Sequence, residues 1–177
     1  MNLRAFFKKP VALLSTLVVL IAVIGVLAIA HKSTQPSSQK ATSMSQKDQN
    51  GLPTVSANAG AAPTISKPSG TPPSTLVTKD VIEGNGTAAN SGSTVTAQYV
   101  LMSWKTGEVI QSSWSQGPAT FPLSAVIPGW QQGIPGMKVG GRRLLVVPPA
   151  LGYGAQGSGP VGPNETLVFV VDLVAVK

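Results

Sequence analysis

Residues 126–143 read VIPGWQQGIPGMKVGGRR, and their turn and helix signals are the starting point for inferring the fold. Pro128 favours the start of a helix because its fixed φ suits the first helical turn. Gly136 is a typical helix stop, so we predict one short helix from about Gly129 to Met137, which Pro135 would cut short. The double glycine that follows is interpreted as a turn leading into a strand.

Short apolar runs bounded by Gly, Pro and Asn lie on both sides of this helix, and they predict strands. The predicted strands are Val77 to Ile82, Thr94 to Trp104, Val109 to Trp114, Arg142 to Val147 and Thr166 to Val176. The last run is nearly all apolar, so we expect it to lie centrally and to be buried on both faces. About five strands with one short helix against one face predict an α+β domain.

The composition divides the 177 residues into three stretches: 1–30, 31–74 and 75–177. The formal charge of +7 comes mostly from the first two stretches, which carry +3 each, whereas the third carries only +1. A basic face on the globular part is therefore not indicated, and we predict no nucleic-acid partner.

The first stretch is either a membrane anchor or an export signal. Arg4, Lys8 and Lys9 precede an uncharged run from Val11 to Ala30. Twenty helical residues span about 30 Å, which matches the hydrocarbon core of a bilayer. The positive flank should remain in the cytoplasm, so residues 31–177 are expected on the extracytoplasmic side of the cell membrane. The alternative is a signal peptide cleaved after Ala30, which would give a secreted protein.

The second stretch, residues 31–74, is rich in Ser, Thr, Pro and Gln. Its only larger apolar side chains are Met44, Leu52, Val55 and Ile65. Such a segment buries too little surface to offset its chain entropy, so we predict a disordered linker. The globular domain would then span residues 75–177.

The residue inventory excludes several kinds of chemistry in that domain. The chain has no cysteine, and its single histidine, His31, lies outside residues 75–177. A thiolate nucleophile, a histidine-based triad and a zinc site of Cys or His are therefore excluded there. We predict neither a cofactor nor a metal.

Two further motifs accompany the opening stretch: VPPALGYG at residues 147–154 and PNETLVF at residues 163–169. In this order and spacing, the three segments resemble the FKBP-type peptidyl-prolyl cis-trans isomerases over essentially all of residues 75–177. The resemblance implies a twisted antiparallel sheet curled around the short helix. It also implies an apolar pocket between them that accepts a prolyl ring.

The same resemblance implies the roles of individual residues. Trp130 would form the pocket floor, and the Ile127 N–H and the Tyr153 hydroxyl would hydrogen-bond substrate carbonyls. The remaining pocket residues would be Tyr99, Ile110, Gln111, Phe121, Val126 and Phe169. X–Pro segments of unfolded or exported proteins would be the substrates.

Three positions depart from the family pattern. Ile110 and Gln111 stand where the family usually has Phe-Asp, and Ala119 stands where it often has an aromatic residue. Gln111 keeps polarity but lacks the carboxylate, and the other two side chains offer less apolar area. We therefore expect weak binding of macrolides such as tacrolimus.

Three functional hypotheses follow. The first is a rotamase that assists the folding of exported proteins outside the cytoplasmic membrane. The second is a peptide-binding or chaperone domain that uses the same pocket with little or no catalysis. The third is a structural domain without a pocket, which complete burial of Trp130 with no cleft above it would favour.

Overall fold

The structure is a computed structural model that describes residues 51–177, so what the sequence predicts for residues 1–50 lies outside it. This part of the chain contains six strands, one α-helix and two short 3-10 turns. Their bounds are β1 Val77–Ile82, β2 Thr94–Ser103, β3 Val109–Ser112, β4 Ala119–Pro122, α1 Pro128–Gly133, β5 Arg142–Val147 and β6 Leu167–Val176, with the turns at Leu123–Ala125 and Pro149–Leu151.

The strands form one antiparallel sheet in the order β1-β5-β6-β2-β3, in which β4 also pairs with β2. β6 is central, as its apolar sequence predicts. β4 is the strand that the sequence did not predict. It has four residues and ends at Pro122, which cannot donate to a ladder, and it pairs with the first part of β2. The predicted α+β sheet with one short helix is therefore confirmed, with six strands instead of five.

The helix ends at Gly133 and not at Met137, so it is cut short as Pro135 predicts. Pro135 lacks the N–H that a further helical turn would need, so the helix cannot extend through it. Arg143 of β5 donates to the Gly133 carbonyl oxygen at 2.9 Å, which satisfies one of the carbonyls left open at the helix end.

Two glycines on one side of α1 allow the helix to lie close to β5. A Cβ on Gly129 would come within 2.5 Å of a methyl carbon of Val147. A Cβ on Gly133 would come within 2.7 Å of a methyl carbon of Leu145. Larger side chains at these two positions would push the helix away from the sheet. The two glycines therefore determine how closely α1 approaches β5.

The main core lies between α1 and the inner face of the sheet. Its fully buried members include Leu123, Ile134, Leu145 and Val171. Trp130 belongs to the same core and is only 4% exposed. The helix is thus fixed from two sides, by β5 and by this core.

The outer face of the sheet is covered by the strap, which we define as residues 51–70. The strap is an irregular hairpin closed by an antiparallel bridge between Val55 and Ile65. Leu52, Val55 and Ile65 pack against a second cluster. That cluster comprises Met102, Trp104, Leu144, Val146, Val168 and Val170. Both faces of β6 are buried for this reason from Leu167 to Val171, whereas Val174 near the end of the strand is exposed.

Arg142 fastens the strap to the sheet. Its guanidinium is fully buried and forms a two-pronged ion pair with Asp172, at 2.6 and 2.7 Å. The same group donates to the carbonyl oxygens of Ser56 at 2.8 Å and Ala61 at 2.6 Å, and it lies over the ring of Trp114. A buried charge must be paired in this way, so the strap supplies acceptors that Arg142 requires.

The expectation of a disordered linker extending to residue 74 does not hold for the strap. Three apolar side chains pack on the apolar face of the sheet, Arg142 holds two strap carbonyls, and the backbone is hydrogen-bonded across the hairpin. None of the helices in residues 51–177 is long and apolar enough to cross a membrane. The predicted anchor and the first part of the linker lie outside the described residues.

Candidate active site

A cavity of about 290 Å³ opens between α1 and the inner face of the sheet, above Trp130. Its walls come from β2, β3, β4, α1, β6, the segment before the helix and the segment after the second 3-10 turn. The lining residues are Tyr99, Leu101, Gln111, Phe121, Ala125, Val126, Ile127, Trp130, Tyr153 and Phe169. This volume is at the lower end of the range for ligand sites, so it suits a small apolar group.

Trp130 stands at the centre of the aromatic part of the cavity. Its ring makes edge-to-face contacts with Tyr99, Phe121 and Phe169 at centroid distances of 5.7, 5.7 and 5.5 Å. Edge-to-face pairing is a favoured geometry for aromatic rings. The indole Nε1 is buried and has no hydrogen-bond partner within residues 51–177. The floor is therefore a cluster of packed aromatic rings.

The segment before the helix supplies a backbone donor. Ile127 is the N-cap of α1, and its carbonyl accepts hydrogen bonds from the N–H groups of Trp130 and Gln131. Its own N–H makes no hydrogen bond within residues 51–177. This N–H is thus available to a carbonyl oxygen of a bound peptide, the role that the family resemblance implies for it.

Two tyrosines bring hydroxyl groups to the cavity. Tyr99 is positioned by Ser113, whose Oγ accepts from the Tyr99 N–H at 2.9 Å and whose N–H donates to the Tyr99 carbonyl. Burial raises the pKa of the Tyr99 hydroxyl, and the nearby Tyr153 hydroxyl adds to the shift. Tyr153 itself is 38% exposed. It can donate to a ligand at the cavity rim.

The structure brings eight of the nine predicted site residues to the cavity wall, and Ile110 is the exception. Ile110 packs at the edge of the main core, and Gln111, the next residue along β3, lines the cavity. Leu101 and Ala125 line the cavity without having been predicted. The alternation of side chains along β2 could have identified Leu101, because it shares a face with Tyr99.

The arrangement suits the binding of an amide flanked by apolar groups and rotation about its C–N bond, not acid–base chemistry. Apart from the two tyrosines, the lining side chains are apolar or, at Gln111, an uncharged amide. Rotation about an amide bond requires neither a nucleophile nor a proton transfer, because its barrier arises from lost resonance. An apolar enclosure with one or two oriented donors is sufficient for that process.

The fold and the cavity define a protein of the FKBP type, and the comparisons with known proteins agree. A model of the FKBP-type peptidyl-prolyl cis-trans isomerase family matches residues 85–174. The chain belongs to this family, and it is a peptidyl-prolyl cis-trans isomerase, or rotamase.

Two relatives are similar over nearly their whole length. The chain is 50% identical over 119 residues to the FK506-binding protein of Streptomyces anulatus, covering 64% of this chain and 96% of that protein. It is 48% identical over 114 residues to a probable FK506-binding protein of Corynebacterium glutamicum, covering 64% and 97%. The crystal structure of FkpA from Escherichia coli matches with a TM-score of 0.55 and 40% identity, over 58% of this chain and 48% of that one.

We expect the isomerase activity to be nearly independent of pH, with kcat/KM changing by less than about twofold between pH 6 and 9. The two tyrosines are the only ionisable side chains among the described residues that line the cavity, and burial raises the pKa of Tyr99 above its usual value of 10.0. Tyr99 therefore stays neutral throughout this range. Rates measured with an X–Pro peptide at several pH values check this, and a bell-shaped profile would contradict it.

Proposed function

We propose that the domain isomerises X–Pro bonds in the cavity above Trp130 and that its substrates are exported proteins folding outside the cytoplasmic membrane. The observation that carries the proposal is the aromatic cavity itself, with a backbone N–H at its edge that has no partner within residues 51–177. A purely structural domain would be favoured by complete burial of Trp130 with no cleft above it, but a cleft lies above Trp130. The third hypothesis from the sequence is therefore not pursued.

The cavity favours the twisted amide over the planar one. As the X–Pro bond rotates, the amide loses resonance and charge separation, against a barrier of about 18–20 kcal/mol. An apolar environment stabilises the less polar twisted form relative to the planar ground state. The prolyl ring would rest on Trp130, between Tyr99 and Phe169. The Ile127 N–H and the Tyr153 hydroxyl would hold the neighbouring carbonyl groups.

The proposed location rests on residues 1–30. An uncharged run of twenty residues after a basic flank supports an anchor that keeps the catalytic domain on the extracytoplasmic side. Cleavage after Ala30 would release the domain from the membrane but leave it exported. Protease treatment of intact cells tests the location, because an exported domain is digested and a cytoplasmic one is protected.

The second candidate function is peptide binding with little catalysis. Gln111 is exposed and lines the cavity as an uncharged amide, and Ile110 does not reach the wall. The rim is therefore wider and less polar than one built with a Phe-Asp pair. Weak macrolide binding is part of the same proposal, and competition by tacrolimus in the isomerase assay measures it.

A relaxation assay separates the two candidates. The full chain is mixed with a short peptide whose X–Pro bond exchanges in roughly 10–100 s without a catalyst. We expect a clear acceleration that scales with protein concentration. The chain carrying Tyr153→Phe, which loses the rim hydroxyl, should be slower at the same concentration. A folded chain that binds the peptide without accelerating its isomerisation would favour the binding function.

A further inference from the structure

One side chain holds the peptide unit between Val126 and Ile127 from outside the cavity. The Nε2 of Gln131 donates to the Val126 carbonyl oxygen at 2.8 Å. The backbone N–H of Gln131 donates to the Ile127 carbonyl oxygen at 3.2 Å. Gln131 therefore restrains this segment through both its side chain and its backbone.

The restraint determines where the Ile127 N–H points. In a trans peptide, the C=O and the N–H of one unit point in opposite directions. Gln131 is exposed and does not line the cavity, whereas Val126 and Ile127 do. Fixing the Val126 carbonyl on the Gln131 side therefore turns the N–H of the same unit to the cavity side.

The start of α1 leaves this N–H unused. In a capping box, the residue at the third helical position reaches back and accepts from the N-cap N–H. Here that position is Trp130, which has no acceptor to offer, and the side chain that reaches back is Gln131, one residue later. It engages a carbonyl instead of the N–H. Pro128 adds a second restraint, because it confines the preceding residue to the extended ψ of 149° seen at Ile127.

We propose that Gln131 is a positioning residue for the isomerase reaction, which it supports by orienting and polarising the Ile127 N–H. A hydrogen bond to the carbonyl of an amide strengthens the N–H of that amide as a donor. The inference rests on the proposed role of the Ile127 N–H in holding a substrate carbonyl. It requires a donor at position 131, so glutamine fits and ionised glutamate does not.

Three variants of the full chain test this requirement. Gln131→Glu keeps the size of the side chain but places a carboxylate against the Val126 oxygen. Gln131→Arg keeps a hydrogen-bond donor at this position. Gln132→Glu is the matched control, since Gln132 is also exposed and its side chain makes no hydrogen bond within residues 51–177. We expect kcat/KM to fall about three- to tenfold in Gln131→Glu, the scale of one lost hydrogen bond plus repulsion. The kcat/KM values of Gln131→Arg and Gln132→Glu should stay within about twofold of the value for the unmodified chain.

A spectroscopic readout separates positioning from general destabilisation. The backbone amide signal of Ile127 in a ¹H–¹⁵N spectrum should shift in Gln131→Glu, remain in place in Gln132→Glu, and return toward its original position in Gln131→Arg. Equal losses of activity in the two glutamate variants, or an unchanged Ile127 signal in Gln131→Glu, would overturn the inference. An unmodified chain that fails to accelerate isomerisation would instead refute the proposed function, and the amide signal would still decide whether Gln131 orients the Ile127 N–H.

Discussion

Replacing Trp130 with leucine is expected to lower kcat/KM for an X–Pro peptide by at least about tenfold, or 1.4 kcal/mol in transition-state energy. The indole contacts Tyr99, Phe121 and Phe169, so its loss removes the floor and loosens three walls of the cavity. Leucine is preferred to alanine because a Trp→Ala change in a core costs about 3–5 kcal/mol and could unfold the domain. Peptide relaxation rates, corrected for the folded fraction by circular dichroism, measure the effect.

Trp104→Leu is the matched control for this experiment. Trp104 is 5% exposed, against 4% for Trp130, but it lies on the outer face of the sheet and does not line the cavity. The Trp104→Leu variant should lose about as much stability as Trp130→Leu, and its activity per folded molecule should remain that of the unmodified chain. Equal losses of activity in the two variants would show that the cavity above Trp130 is not the site of catalysis.

Removal of the strap is expected to destabilise the domain by about 6–9 kcal/mol. Three half-buried aliphatic side chains contribute roughly 1 kcal/mol or more each. The buried Arg142 guanidinium also loses two carbonyl acceptors, at about 1.5–3 kcal/mol for each hydrogen bond to a charged group. Since small domains are stable by only about 5–15 kcal/mol, residues 75–177 should unfold at much lower urea concentration than residues 51–177. Urea titrations of the two fragments measure the difference.

A pair of point variants in the longer fragment tests the same interaction without truncation. Ile65→Asp places a carboxylate against the second cluster, whereas Thr64→Asp introduces the same charge at an exposed neighbouring position. The first should lower the urea midpoint strongly and the second hardly at all. Similar midpoints for both variants, or for both fragments, would mean that the strap adds little to the stability of the domain.

Much of the sheet could be predicted because the apolar pattern of each strand agrees with the burial of that strand in the folded domain. The alternation in β2 and the continuous apolar run of β6 gave both strands within a residue or two. The strap could not be predicted from its own composition, which is typical of a disordered segment. The evidence for it lies in β6, because a strand that is apolar on both faces needs a cover on each side, and the one helix of residues 51–177 can cover only one.

The candidate site was predictable where it depends on the motifs and less so where it depends on packing. Trp130 and its aromatic neighbours meet at the cavity because the helix and the strands lie where their patterns indicate. Ile110 does not line the cavity, although the residue beside it does, and a sequence pattern cannot give that detail of side-chain placement. The hydrogen bond from Gln131 to the Val126 carbonyl joins residues on either side of the helix start, and no sequence motif predicts it.

The glycines of α1 have a consequence for substrate selection. Because Gly129 and Gly133 press the helix against β5, the floor of the cavity is preorganised before any peptide arrives. Binding therefore loses little conformational entropy at the floor, and most of the ordering cost falls on exposed rim groups such as Gln111 and Tyr153. Recognition of the proline should thus be uniform among peptides, and discrimination between them should come from the residues that flank it.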